Sequence, residues 1–84
     1  MNAKEKITKG QIYCHIDGLS YEIVAMGIDV TGYEKSRKVG GEKVIYKQLE
    51  DGKYPTGTIW TRDIVNFFET VHRKGKIVQI FTPE

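Results

Sequence analysis

Turn signals punctuate this chain about every eight to twelve residues, and that spacing leaves room only for short strands between them. Asp17-Gly18 supplies the left-handed backbone of a tight hairpin, Glu50-Asp51-Gly52 closes another run, and Lys74-Gly75 separates the last two. Between these breaks the residues are largely β-branched and aromatic. Residues 11–16 alternate, with Ile12, Cys14 and Ile16 as one set and Gln11, Tyr13 and His15 as the other. Residues 20–28 and 43–49 read as a second and a third strand, and Pro55 and Gly57 delay a fourth to residues 58–61. Residues 69–73 and 76–81 form a last hairpin. Five or six short strands of this kind predict an all-β domain, a closed or nearly closed small barrel.

One segment departs from the strand pattern. Thr61-Arg62-Asp63-Ile64 puts a hydroxyl at an N-cap position and Asp63 in a first turn, with Ile64, Phe67 and Phe68 on one face. Only about six residues are free for it, so one short helical turn is predicted. Residues 29–42 carry Gly32, Gly40 and Gly41 among polar side chains and predict a long exposed loop. Residues 1–9 are unpatterned and are expected to be a flexible segment before a single domain spanning residues 10–84.

A chain of 84 residues holds one domain. Folding at this size buries about 60–65% of the chain's surface, so the core is thin. It is expected at Ile12, Cys14, Ile16, Ile23, Ile45, Ile59, Ile64, Phe67, Val71 and Ile77, with Phe81 near its edge. The single cysteine, Cys14, excludes an internal disulfide and any multi-cysteine zinc site. No run approaches the roughly 18 apolar residues of a membrane span, and residues 1–6 lead into no apolar signal core. A soluble, cytoplasmic domain is the expectation, with no membrane partner.

The net charge of +2 is too small to mark a nucleic-acid binder by itself. Its distribution is uneven. Lys35, Arg37, Lys38, Lys43 and Lys47 outweigh Glu34 and Glu42, so residues 34–47 form a basic segment suited either to holding phosphate or to being a solvated loop. Residues 50–69 run the other way, with Glu50, Asp51, Asp63 and Glu69 against Lys53 and Arg62.

Several motifs resemble one family in order. Gly10-Gln11-Ile12-Tyr13-Cys14-His15-Ile16-Asp17-Gly18-Leu19-Ser20-Tyr21-Glu22-Ile23 is similar to the opening of the bacterial domain-of-unknown-function 1653 family, which places Gly, Tyr, His, Gly, Tyr and Val at these spacings. Val44-Ile45-Tyr46-Lys47-Gln48-Leu49 resembles its Val-Val-Tyr-x-x-Leu strand, and Ile59-Trp60-Thr61-Arg62 its Leu-Trp-Val-Arg strand. Gly75-Lys76-Ile77-Val78-Gln79-Ile80-Phe81 matches its closing Gly-x-x-Val-x-x-Phe. The resemblance spans about residues 10–81 and implies an SH3-like β-barrel; the family's name concedes that its biochemistry is open. Two departures stand out. Residues 29–42 are longer than the family's usual link, and Asp63 stands where the family often has Pro.

Strand alternation then nominates a surface. With Ile12, Cys14 and Ile16 inward, Tyr13 and His15 point outward; with Ile59 inward, Trp60 and Arg62 do the same. An aromatic beside a guanidinium suits a planar base or a phosphate, since the ring stacks while Arg forks onto oxygens. The candidate ligand-binding set is therefore Tyr13, His15, Trp60 and Arg62, assisted by Lys35, Arg37 and Lys38. The competing reading makes Trp60 a core plug and pairs Arg62 with Asp63 or Glu69. Tyr21, Tyr33, Tyr46 and Tyr54, interleaved with Lys43, Lys47 and Lys53, suit either a stacking surface for single-stranded nucleic acid or wet barrel edges.

Chemistry has little support in these residues. Cys14 and His15 should face opposite sides of one strand, which spoils a nucleophile–base pair and a metal site with His72 alike. Val39-Gly40-Gly41-Glu42 lacks the Lys-Ser/Thr of a phosphate loop. The expectation is a non-catalytic module without cofactor or metal, recognising a nucleotide or nucleic acid. Its rival is a protein-interaction module, self-associating or inhibiting a partner protein.

Overall fold

The computed structural model describes residues 7–84. Among them the chain forms seven strands and two single-turn helices. In chain order these are β1 (Ile12–His15), β2 (Ser20–Ile28), α1 (Tyr33–Ser36), β3 (Glu42–Gln48), β4 (Ile59–Asp63), α2 (Ile64–Phe67), β5 (Thr70–Arg73), β6 (Lys76–Gln79) and β7 (Phe81–Pro83). One antiparallel sheet runs in the order β4-β3-β2-β1-β7, and β5 pairs with β6 as a separate hairpin. The domain is all-β, as the turn spacing predicts.

The barrel does not close. Among the described residues, β4 and β7 stand at the two ends of the sheet without a further strand partner. The predicted last strand over residues 76–81 breaks at Ile80. Its N–H goes to the Glu69 carbonyl at 3.2 Å, and its own carbonyl accepts the Ile16 N–H at 2.9 Å. Phe81 therefore leaves the hairpin and stands opposite His15 in β1.

The turns follow their residues. Gly18 takes φ +99° between β1 and β2, and Asp17 Oδ1 accepts the Leu19 N–H at 2.9 Å to hold that turn. Lys74 (φ +51°) and Gly75 (φ +76°) put two successive left-handed residues between β5 and β6, the backbone of a type I′ hairpin. The short helix after Trp60 is α2, which begins after Asp63 rather than at Thr61. Asp63 makes no capping bond and instead pairs with Lys43 on β3. The long excursion between β2 and β3 is exposed and contains α1, entered from a left-handed Gly32.

Which face of the sheet is inner differs from expectation. Tyr13, Tyr21, Ile23, Val44, Tyr46, Phe67, Ile80 and Phe81 are the buried cluster, so the aromatic parity of each strand faces in. Ile12, Cys14, Ile16 and Ile45 are only half-buried, while Ile59 and Ile77 are 56% and 66% exposed. Of the expected core, Ile23 and Phe67 are buried, and Ile64 and Val71 pack against it. Phe81 is central rather than peripheral, stacked on Phe67 at 4.2 Å between centroids. The reason is volume: an aromatic ring buries roughly 150–250 Å², and a thin core needs that area more than it needs Ile side chains.

A bulge at Val24 adjusts β2 to this face. Ile23 stands opposite Tyr46 but Ala25 opposite Ile45, so one extra residue shifts the inward series from Tyr21 and Ile23 to Met26. Of the expected flexible segment 1–9, residues 1–6 lie outside the described residues, and Ile7 packs against the core. No helix among the described residues is long and apolar enough to cross a membrane.

Candidate functional site

The inner face of the sheet is only partly covered. α2 closes one part of it, where the Phe67 ring meets Tyr13, Tyr46 and Phe81. At the Gln48 end of β3 the face stays open and forms a cavity of about 290 Å³. Its floor is Tyr21, Tyr46, Gln48 and Phe81. Trp60 and Arg62 line it from β4, His15 from β1, Asp17 and Leu19 from the first turn, and Lys53 and Tyr54 from the β3–β4 loop.

Alternation explains why these side chains meet. Trp60 stands opposite Tyr46 and Arg62 opposite Val44, so both project to the face that carries the buried rings. His15 stands opposite Phe81 for the same reason. The Phe81 ring then links the two: His15 meets it edge-on at 4.9 Å, and the Arg62 guanidinium lies over it at 5.0 Å. Phe67 stacks on Phe81 at an interplanar angle of 11°, which leaves the opposite ring face to Arg62.

The walls are locked by a single amide. Gln48 is 2% exposed, the one buried polar side chain among the described residues. Trp60 donates its indole N–H to Gln48 Oε1 at 3.1 Å, and Gln48 Nε2 donates to the carbonyls of Glu50 at 2.8 Å and Tyr54 at 2.5 Å. Tyr54 in turn meets Trp60 edge-to-face at 5.0 Å. Asp51 completes the loop by accepting the Thr56 N–H at 2.8 Å and hydroxyl at 2.9 Å. These hydrogen bonds hold the Asp51 carboxyl below its ordinary range.

The charges in the cavity are unevenly partnered. Among the described residues neither Arg62 nor Lys53 makes an ion pair or hydrogen bond, while Asp63, the expected partner of Arg62, goes to Lys43. Asp17 is occupied near its own backbone, its Oδ1 serving the Leu19 N–H and lying 3.1 Å from His15 Nδ1. His15 Nδ1 accepts the Asp17 N–H at 3.0 Å, so the neutral ring carries its proton on Nε2, as a donor. Burial pushes the Tyr21 hydroxyl up, Asp17 adds to that, and Arg62 opposes it. The Tyr21 and Tyr46 hydroxyls have no protein partner among the described residues, and no buried side-chain polar atom there lacks one, so both reach open space. The cavity is thus rich in free donors and aromatic walls.

His15, Trp60 and Arg62 are together, on the inner face rather than the expected outer one. Tyr13 is buried beneath that face and packs on Phe67, so it supports the site without lining this cavity. Burial also pushes its hydroxyl up. Lys35, Arg37 and Lys38 are exposed on the β2–β3 excursion, at the opposite end of β3. Glu42 and Gln48 are six residue steps apart along the strand, about 20 Å at the rise of an extended chain, and none of the three basic side chains lines the cavity. Among the interleaved tyrosines and lysines, Tyr21, Tyr46, Tyr54 and Lys53 line it. Lys43 is paired with Asp63, Lys47 lies 3.9 Å from Glu22, and Tyr33 sits in α1. Gln48 and Phe81 belong to the site without having been nominated. Gln48 shares the parity of Tyr46, which is the signal that marks it.

No family model, no curated protein and no solved structure matches the chain.

Proposed function

We propose that this domain is a non-catalytic binding module whose cavity takes a phosphate-bearing ligand, a nucleotide or the end of a nucleic acid. One observation carries the reading: Arg62, half-buried and unpaired with any carboxylate among the described residues, faces a cavity walled by Trp60, Tyr54, His15 and Phe81. A charge held in such surroundings gains most from an oxyanion, and Arg forks onto phosphate oxygens while the rings accept a planar group. Lys53 adds a second cation at the rim. What supports leaving chemistry out is that Cys14 and His15 lie on opposite faces of β1, and Cys14 lies outside the cavity lining. Kinship with the domain-of-unknown-function 1653 family belongs to this proposal, rests on motif order alone, and contributes no ligand to it.

Backbone and indole NMR shifts during titration with adenosine monophosphate test the proposal. Shifts should gather at His15, Tyr54, Trp60 and Arg62 and should weaken as salt is raised, because the anion contact is screened. Silence at millimolar nucleotide would refute it.

A second reading, a protein-interaction module, is favoured by the outer face. There Ile28, Ile45 and Ile59 line a depression of about 590 Å³, with Ile28 and Ile59 51% and 56% exposed. A partner seated there would shift Ile28, Ile45 and Ile59 together with Trp60, which lines both, leave His15, Tyr54 and Arg62 unmoved, and respond little to salt.

A further inference from the structure

We infer that the cavity does not read the identity of the ring it holds: its ligand class is a single phosphorylated planar ring, bound with similar strength whichever base it is. This rests on the phosphate-ligand reading of the same cavity and narrows it.

A site that tells one base from another offers the base edge a matched set of donors and acceptors, most often from a side-chain amide or backbone groups. Here the amide is spent. Gln48 gives both of its N–H groups to the Glu50 and Tyr54 carbonyls, at 2.8 and 2.5 Å, and its oxygen to the Trp60 indole at 3.1 Å. The indole N–H is consumed by the same contact, so Trp60 offers a ring and no hydrogen bond. Asp17 is the one carboxylate in the lining; its side chain is 47% exposed and already serves the first turn, which leaves it a weak reader. What remains free is Arg62, Lys53, the His15 Nε2–H and the tyrosine hydroxyls, cations and donors that suit phosphate oxygens, with no free planar amide among them to match a base edge.

Stacking on aromatic walls tolerates every base, because each has a π-face. A volume of about 290 Å³ lies at the lower end of ligand pockets, enough for one ring with its phosphate. Sites that hydrogen-bond a ligand group reject an analogue lacking it by roughly 10⁴–10⁵-fold, whereas apolar contacts discriminate by only about 10–200-fold. This cavity belongs to the second kind with respect to the base.

The single tryptophan lines the cavity, so its fluorescence reports binding to the full chain. Adenosine, guanosine, cytidine and uridine monophosphates and phenyl phosphate are titrated beside adenosine and inorganic phosphate, with NMR shifts confirming the site. The four nucleotides and phenyl phosphate should fall within about tenfold of one another, the spread expected of stacking alone. Adenosine and inorganic phosphate should each bind at least about tenfold more weakly than adenosine monophosphate, as each lacks one of the two contacts. Arg62→Ala should weaken all four nucleotides by the same factor. One nucleotide bound more than about 200-fold more tightly than the rest, beyond what apolar contacts supply, would overturn the inference and leave the phosphate reading standing. No binding by any phosphate, or adenosine bound as tightly as its monophosphate, would overturn both.

Discussion

The Trp60 indole N–H meets Gln48 Oε1 at 3.1 Å, and the same Gln48 side chain ties down two carbonyls of the β3–β4 loop, those of Glu50 and Tyr54. Replacing Gln48 by Leu orphans three polar groups at once. Each buried group left without its partner costs about 1–3 kcal/mol, partly recovered as water enters, so a loss of about 2–4 kcal/mol is expected. Urea denaturation measures it, and the indole N–H resonance should move with it. Gln48→Glu separates the two roles. It keeps an acceptor for Trp60 but sets a carboxylate against two carbonyl oxygens, which raises its folded pKa. That variant should therefore regain stability as the pH falls below the folded value, the reverse of ordinary acid unfolding.

Phe67 is fully buried and touches four other rings, Tyr13, Tyr46, Phe68 and Phe81. Truncation to Ala removes the side chain that closes the sheet's inner face, at a cost of about 3–5 kcal/mol. An 84-residue domain has about 4–12 kcal/mol in total, so Phe67→Ala should be largely unfolded at moderate urea. Tyr13 should show it too, since its buried ring packs edge-on against Phe67 at 5.1 Å and loses that cover in the mutant; its absorbance should shift toward that of solvated tyrosine. A variant with an unchanged urea midpoint would contradict the packing described above.

How much of this was legible follows from the same residues. The spacing of turn signals sufficed for the class and for six strands, though not for the break at Ile80 that makes β7 a seventh or for the open sheet, and strict alternation sufficed to put His15, Trp60 and Arg62 on one face. Alternation has no sign, however. It pairs Trp60 with Arg62 equally well inside or outside, and choosing Ile over Tyr as the inward set inverted the sheet. The aromatic set won because a thin core is filled by area, and Tyr hydroxyls can still reach water at the open end. The bulge at Val24 was invisible for a related reason: small and β-branched residues suit either face, so Ile23, Val24 and Ala25 carry no mark of the extra residue. The basic loop misled by composition, since charge along a sequence says nothing about which end of β3 it leaves from.

Arg62 carries a charge that no protein group among those described neutralises, and this has a consequence for stability. Its contact with Phe81 is worth about 0.5–1 kcal/mol, offset by partial desolvation of the guanidinium. Arg62→Met keeps the stem that packs on the ring and discards the charge. Thermal unfolding should show a Tm unchanged or slightly raised, while affinity for adenosine monophosphate drops at least about tenfold, the worth of a charge-assisted contact. A large loss of stability instead would assign Arg62 a structural role and remove the reason for reading it as an anion contact.

Asp51 sets the acid limit of the cavity wall. Its carboxylate accepts two hydrogen bonds from Thr56, and these hold its folded pKa below the ordinary aspartate value. A depressed folded pKa means that the unfolded chain takes up the proton first as pH falls. The contribution is therefore complete above the ordinary aspartate pKa of about 4 and is lost as the pH drops through the lower folded value. Asp51→Asn retains an acceptor for Thr56 but has no charge to titrate. The gap in urea midpoint between the native chain and this variant should be constant from neutral pH to about pH 5 and should close as the pH falls below the ordinary aspartate value. The Lys53 and Tyr54 amide signals should broaden over the same range, because Asp51 and Gln48 together hold the loop that carries them. A gap that persists unchanged into acid would mean that the loop is held by Gln48 alone and that the Asp51 charge contributes nothing to the cavity wall.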